Sequence, residues 1–156
     1  MEPRIDYQKA PAAAKQAMYA LDHYLRNSGL DPKLVELVKM RASQINGCGY
    51  CIDMHSKDAR AEGETEQRLY ALSAWRETPF YSDRERAALE WTEAVTLVAQ
   101  NHVPDDVYER VREHFDETEL INLTLAVIAI NGWNRLAISM RAVPRSYQRQ
   151  PSMAAR

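Results

Sequence analysis

The chain has 156 residues, 46% hydrophobic and 27% charged, with 20 Lys and Arg against 22 Asp and Glu for a formal net charge of -2. Such a length suits one domain with a sizeable core, and the composition excludes a disordered or fibrous chain. The two signs of charge are mixed, so no basic field exists to displace counterions from a nucleic acid backbone, and nucleic acid is not an expected partner.

Apolar residues recur at spacings of three and four along the whole length, without sustained alternation, which predicts an all-α fold. The stretch Met1 to Tyr7 carries Glu2 and Asp6 and lacks the apolar run of a secretory signal, so a cytoplasmic location is expected. Pro11 suits a first helical position, Met18, Leu21 and Leu25 follow in register, and Gly29 supplies a stop. A second helix opens at Asp31 and Pro32, carries Leu34, Val35, Val38, Ala42 and Ile45 on one stripe, and closes at Asn46 and Gly47. A third runs from Cys48 to about Ala61 before Gly63, and a fourth, with Leu69, Leu72 and Trp75, extends to Pro79.

Ser82 with Glu85 three residues later is a capping-box signature for a fifth helix bearing Leu89, Trp91, Val95 and Val98. Pro104 opens a short helix with Val107 and Val111, and Asp116 with Glu119 caps a last long helix from Glu117 to about Arg141. The most apolar stretch, Leu120 to Ile130, reads as a buried core helix. Asn122, Asn131, Asn134 and Arg135 interrupt the run of about 20 apolar residues that a membrane span needs, so no membrane partner is expected. Without a linker, repeat or low-complexity tract, residues 1–156 are expected to form a single domain. Arg145, Arg149 and Pro151 mark residues 145–156 as a flexible tail.

Two cysteines separated by two residues, in a reducing compartment, suggest a redox or metal pair more than a structural staple. On a helix, Cys48, Cys51 and His55 share a face. A disulfide needs Cβ atoms about 3.8 Å apart, so Cys48 is expected at the helix cap, where Gly47 and Gly49 give the backbone freedom. Helix-start N–H groups and a neighbouring imidazolium both stabilise a thiolate. Cys51, one turn from His55, is the expected attacking thiolate, Cys48 the resolving thiol, and His55 the proton acceptor and donor.

Two other readings of the pair stand beside this one. Two small buried cysteines can simply pack. Zinc could take Cys48, Cys51 and His55, but a closed structural site wants a fourth ligand, and the chain has no second CxxC. His23, His102 and His114 lie at no ligand spacing to one another. Glu36, off the apolar stripe of the second helix, reads by periodicity as a solvated carboxylate. If the second and third helices fold back as a hairpin at Asn46 and Gly47, however, Glu36 comes nearer His55 than Cys48 and can hold the imidazole.

The pattern of Glu36, eleven residues, Cys48-Gly49-Tyr50-Cys51, three residues, His55 resembles the motif of the alkylhydroperoxidase D family, within the carboxymuconolactone decarboxylase-like superfamily. The stretch from Asn46 to His55 and the late Asn131-Gly132-Trp133-Asn134-Arg135-Leu136 are similar to its small single-domain members. The resemblance implies an all-helical bundle that assembles as a homo-oligomer, a trimer or hexamer. It implies a peroxidase reducing organic hydroperoxides through the cysteine pair, with Glu36, Cys48, Cys51 and His55 as a proton relay. No metal and no organic cofactor are implied, and the reducing equivalents would come from a dithiol donor such as a lipoylated protein.

Where the well-studied peroxidase of that family has a histidine immediately before its second cysteine, this chain has Tyr50. A phenol with a pKa of about 10 does not titrate near neutrality. Tyr50 therefore reads as a packing aromatic, or as a substrate contact donating a hydrogen bond to a peroxide oxygen. The late Asn134 and Arg135 read as residues that cap or bridge neighbouring elements or subunits. The same cysteines would serve a protein or lipoyl disulfide reductase, or a non-catalytic redox-sensing oligomer. Lactone decarboxylation, the superfamily's namesake chemistry, has no evident use for a CxxC.

Overall fold

The computed structural model describes residues 2–6, 9–144 and 147–148, and among these the regular structure is helical, with no strand. The order is α1 (Ala12–Arg26), α2 (Pro32–Asn46), α3 (Gly49–Ala61), α4 (Glu66–Ala71), a 3-10 segment (Leu72–Glu77), α5 (Asp83–Thr96), α6 (Val98–Asn101), α7 (Asp105–Arg112) and α8 (Glu117–Met140). The all-α expectation holds. Of the expected flexible tail over 145–156, only Tyr147 and Gln148 fall within the described residues.

Local sequence signals set most helix starts. Asp31 accepts the Lys33 N–H and is followed by Pro32, while Ser82 with Glu85 and Asp116 with Glu119 form reciprocal capping boxes. Pro11 and Pro104 occupy cap positions one residue outside their helices.

Helix α2 is the axle of the bundle and packs against α3, α5 and α8. One face, with Leu34, Val35 and Val38, joins Trp91 of α5, Val107 and Val111 of α7, Phe115, and Leu123 and Val127 of α8. Another face, with Leu37 and Met40, joins Ala59, Leu69, Leu72, Trp75, Tyr81 and Leu89. Each fully buried leucine contributes about 1.5–3 kcal/mol relative to exposure, so a helix buried on two faces is fixed firmly in place. That rigidity is what positions the cysteine-bearing end of the helix.

Helix α8 is long and apolar enough, by length and composition, to cross a membrane. Here it packs on α1, α2, α3, α5 and α7. Its buried Asn122, Asn131 and Asn134 all bond to groups on other elements.

Two expected boundaries differ. The fourth helix does not continue to Pro79: it tightens after Ala71, and Ala74 leaves helical geometry at φ -116 and ψ 29. Arg86 from α5 collects the carbonyls of Trp75, Arg76 and Thr78 at 2.9 to 3.0 Å, which satisfies the ends of the tightened turn. The turn points the Trp75 ring inward, where its Nε1 donates to Glu93 at 2.8 Å. The fifth helix stops at Thr96, and Val98, expected on its buried stripe, is 49% exposed in the short α6.

Candidate active site

The α2–α3 corner brings the expected residues together. Helix α2 ends in left-handed geometry at Gly47, φ 69, and the chain turns directly into Cys48, which caps α3. Two amides fix this cap: Cys48 N–H donates to Ser43 O at 3.0 Å, and Cys51 N–H donates to Cys48 Sγ at 3.4 Å. Cys48 thus sits at the N-cap, as its spacing from Cys51 predicts, and Cys51 is the third residue of the helix. The two sulfurs stand at disulfide distance, with Cα atoms 5.3 Å apart. Each cysteine is 1% exposed, lying among Ala42 and Ile130, with Tyr50, Trp133 and Ala137 packed against them.

One turn along α3, His55 is buried, and its Nδ1 lies 2.8 Å from Glu36 Oε2. Glu36 is not the solvated carboxylate that periodicity suggests; only 13% of its side chain is exposed. The polar flank of α2 is covered because α3 folds back along it. Burial alone would raise the Glu36 pKa, but the hydrogen bond and charge of His55, with Lys39 at 3.3 Å, outweigh it and hold the carboxyl below its ordinary value. His55 Nε2, the other ring nitrogen, is buried without a hydrogen-bond partner among the described residues.

Tyr50 is half-buried beside the cysteines, and burial, with Tyr19 and Asp53 nearby, pushes its phenol above the ordinary value. It stays protonated at neutral pH and can donate a hydrogen bond. Trp133 is held by a 2.8 Å bond from its Nε1 to Asp22 and by the Tyr19 ring, whose centroid is 5.4 Å away.

Asp58 was not singled out by the sequence. Its position three residues after His55, on the same helical face, is the signal that points to it. Its carboxylate, Glu36 and His55 place one ligand atom each within 4.8 Å of one another. Asp58 also accepts from Tyr147 Oη at 2.8 Å, and Lys57 Nζ donates to Tyr147 O at 3.2 Å, so Tyr147 lies against α3. Among the described residues, Glu36, His55 and Asp58 form the group in the site able to contact a cation, although Glu36 already occupies Nδ1 of the imidazole. The cysteines are not part of that group. His23 and His102 are exposed and His114 is half-buried.

The structure is thus a helical bundle with a cysteine pair at a helix cap and a carboxylate-held histidine one turn on. The chain belongs to the Carboxymuconolactone decarboxylase family, which it matches over residues 9–94. It is 46% identical over 140 residues to the uncharacterised protein YdfG of Bacillus subtilis, covering 90% of this chain and 95% of that one. A crystal structure of ATU0492 from Agrobacterium tumefaciens, of unknown function and described as a candidate antioxidant defence protein AhpD, superimposes with a TM-score of 0.90. It is 44% identical and covers 94% of this chain and all of that one. Alkyl hydroperoxide reductase AhpD of Coxiella burnetii is 41% identical over 51 residues, a third of this chain and a quarter of that one.

Proposed function

We propose that the protein is a thiol peroxidase that reduces organic hydroperoxides. The observation that carries this is the cysteine pair at disulfide distance at the head of a helix whose next turn bears an imidazole held by a buried carboxylate. In the first step the Cys51 thiolate attacks the terminal peroxide oxygen; the O–O bond breaks, the alkoxide takes a proton as the alcohol, and Cys51 becomes a sulfenic acid. Cys48 then displaces hydroxide from that sulfur, which leaves as water, and the disulfide closes. Two electrons and two protons from a donor dithiol, such as a lipoylated protein, restore both thiols.

His55, steadied by ionised Glu36, handles the protons in both directions. Neutral Tyr50 donates its O–H to the substrate oxygen. In the reductive half, donor attack on Cys51 Sγ expels Cys48 as thiolate, which the Cys51 N–H and the helix start stabilise.

The test is hydroperoxide consumption with dihydrolipoamide as donor, comparing the native protein with Cys51→Ser. Consumption is expected to vanish in the variant, and retained turnover overturns the assignment. The cap amide also favours a second reading, exchange with a protein or lipoyl disulfide, because it stabilises Cys48 as leaving group whatever oxidised the pair. Rapid exchange with oxidised lipoamide, with no hydroperoxide consumed by the native protein, would select that reading instead.

A further inference from the structure

The polar residues of α8 that the chemistry above does not use converge on the corner that carries Cys48. Asn134 is fully buried and is satisfied at both ends of its amide: Oδ1 accepts from Asn46 Nδ2 at 2.9 Å, and Nδ2 donates to Ser43 Oγ at 3.0 Å. Asn46 Nδ2 also donates to Asn131 Oδ1 at 3.0 Å. Asn131 Nδ2 in turn reaches Thr96 Oγ1 at 3.1 Å and Val127 O at 2.9 Å, and Arg135 donates to the Asn131 carboxamide oxygen.

Ser43 is itself fully buried, and it is the residue whose carbonyl receives the Cys48 N–H. Asn46 is the last residue of α2, one before the left-handed Gly47. Asn134 therefore grips the two α2 residues between which the approach to Cys48 is fixed. It sits one residue after Trp133 and four after Ile130, which pack against the sulfurs. Burying such amides costs free energy unless every bond is made, and an apolar side chain would fill the space without that demand.

We infer that Asn134 is a positioning residue that sets the dithiol–disulfide equilibrium of the Cys48–Cys51 pair. Closing the disulfide requires Cys48 to be held in one backbone conformation, and any freedom that the reduced corner has must be lost on closure. The Asn134 clamp removes that freedom in advance and so favours the disulfide. Releasing it moves the equilibrium towards the dithiol. The inference rests on the reading that the pair cycles, but its test uses no peroxide, so the two fail separately.

The experiment equilibrates the full chain with known ratios of reduced to oxidised dithiothreitol. Each protein disulfide gains two electrons and two protons as one dithiothreitol closes its ring, and the free thiols are counted after alkylation. Asn134→Ala and the partly buried Asn46→Ala are each expected to shift the equilibrium towards the dithiol by about tenfold, equivalent to about 30 mV for a two-electron couple. Leu123→Ala, a fully buried core truncation in a different cluster, serves as the control and is expected to lower the melting temperature while leaving the equilibrium within twofold. If Asn134→Ala does not fold, Asn46→Ala decides alone. Equilibria within twofold of native in the folded asparagine variants, or an equal shift in Leu123→Ala, overturn the inference.

Discussion

Replacing Glu36 by glutamine removes a charge from the site and leaves its shape almost unchanged. The side chain is 13% exposed and its Oε2 lies 2.8 Å from His55 Nδ1, so the carboxamide oxygen can still accept that bond. What disappears is the charge assistance. Bonds to charged groups contribute about 1.5–3 kcal/mol and neutral ones about half as much, so the loss is about 1–1.5 kcal/mol. If imidazolium character develops as the thiol is deprotonated, that loss falls on the barrier, and about 1.4 kcal/mol is a factor of ten in rate.

The expected outcome is a rate of thiol oxidation by an organic hydroperoxide about tenfold lower in Glu36→Gln, measured in single turnover at neutral pH. The cooperative unfolding transition is expected to be retained. Glu36→Ala, which leaves Nδ1 buried and unpaired, is expected to lose stability by about 1–3 kcal/mol in addition. A Glu36→Gln rate within twofold of native would refute the role given to the carboxylate.

The core and the charges make their own predictions. Leu37→Ala empties a fully buried position among Met40, Leu69, Leu72 and Leu89, and is expected to cost about 2–5 kcal/mol in urea unfolding, against no measurable cost if α2 were not the axle. For acid stability, burial alone would raise the two carboxyl pKa values, but the hydrogen bonds of His55 to Glu36, and of Trp75, Arg76 and Arg41 to Glu93, outweigh it and hold both below the ordinary carboxylate value. A depressed carboxyl contributes stability that is present above its unfolded value and lost as pH falls through its folded one. The urea midpoint is therefore expected to hold from neutrality to about pH 5 and to drop below about pH 4.5, and a midpoint unchanged down to about pH 3 would contradict both contacts.

Features written in local sequence were legible, and features made by tertiary contact were not. Ser82 with Glu85, Asp116 with Glu119, and Asp31 before Pro32 announce helix starts because a cap is satisfied within three residues. Gly47 announces the corner because it tolerates left-handed geometry. The break at Ala74 carries no glycine or proline. It is made by Arg86 reaching back ten or eleven residues to Trp75 and Arg76, and no window along the helix records that.

Glu93 is a similar case. It gathers Arg41 of α2 with Trp75 and Arg76 of the 3-10 segment, two elements besides its own, and nothing in its own neighbourhood marks it. At the site, Cys48, Cys51 and His55 were legible as one helical face. Glu36 was ambiguous because a periodicity argument sees only the apolar stripe of its own helix, whereas the hairpin lays α3 over the opposite flank. Asp58 has the helical spacing from His55, but its approach to Glu36 is made by the α2–α3 hairpin, which no local window records. Asn134 and Arg135 read as bridging residues; Asn134 does bridge α8 to α2, while Arg135 returns to Asn131 of its own helix.

The most direct test of the account is a thiol count on fully reduced protein given one equivalent of an organic hydroperoxide, followed over time beside a Cys48→Ser variant. The account predicts rapid loss of both thiols in the native chain and a trappable sulfenic acid on Cys51 in the variant. Survival of both native thiols, while disulfide exchange with lipoamide remains fast, would contradict the peroxidase reading and leave a disulfide reductase.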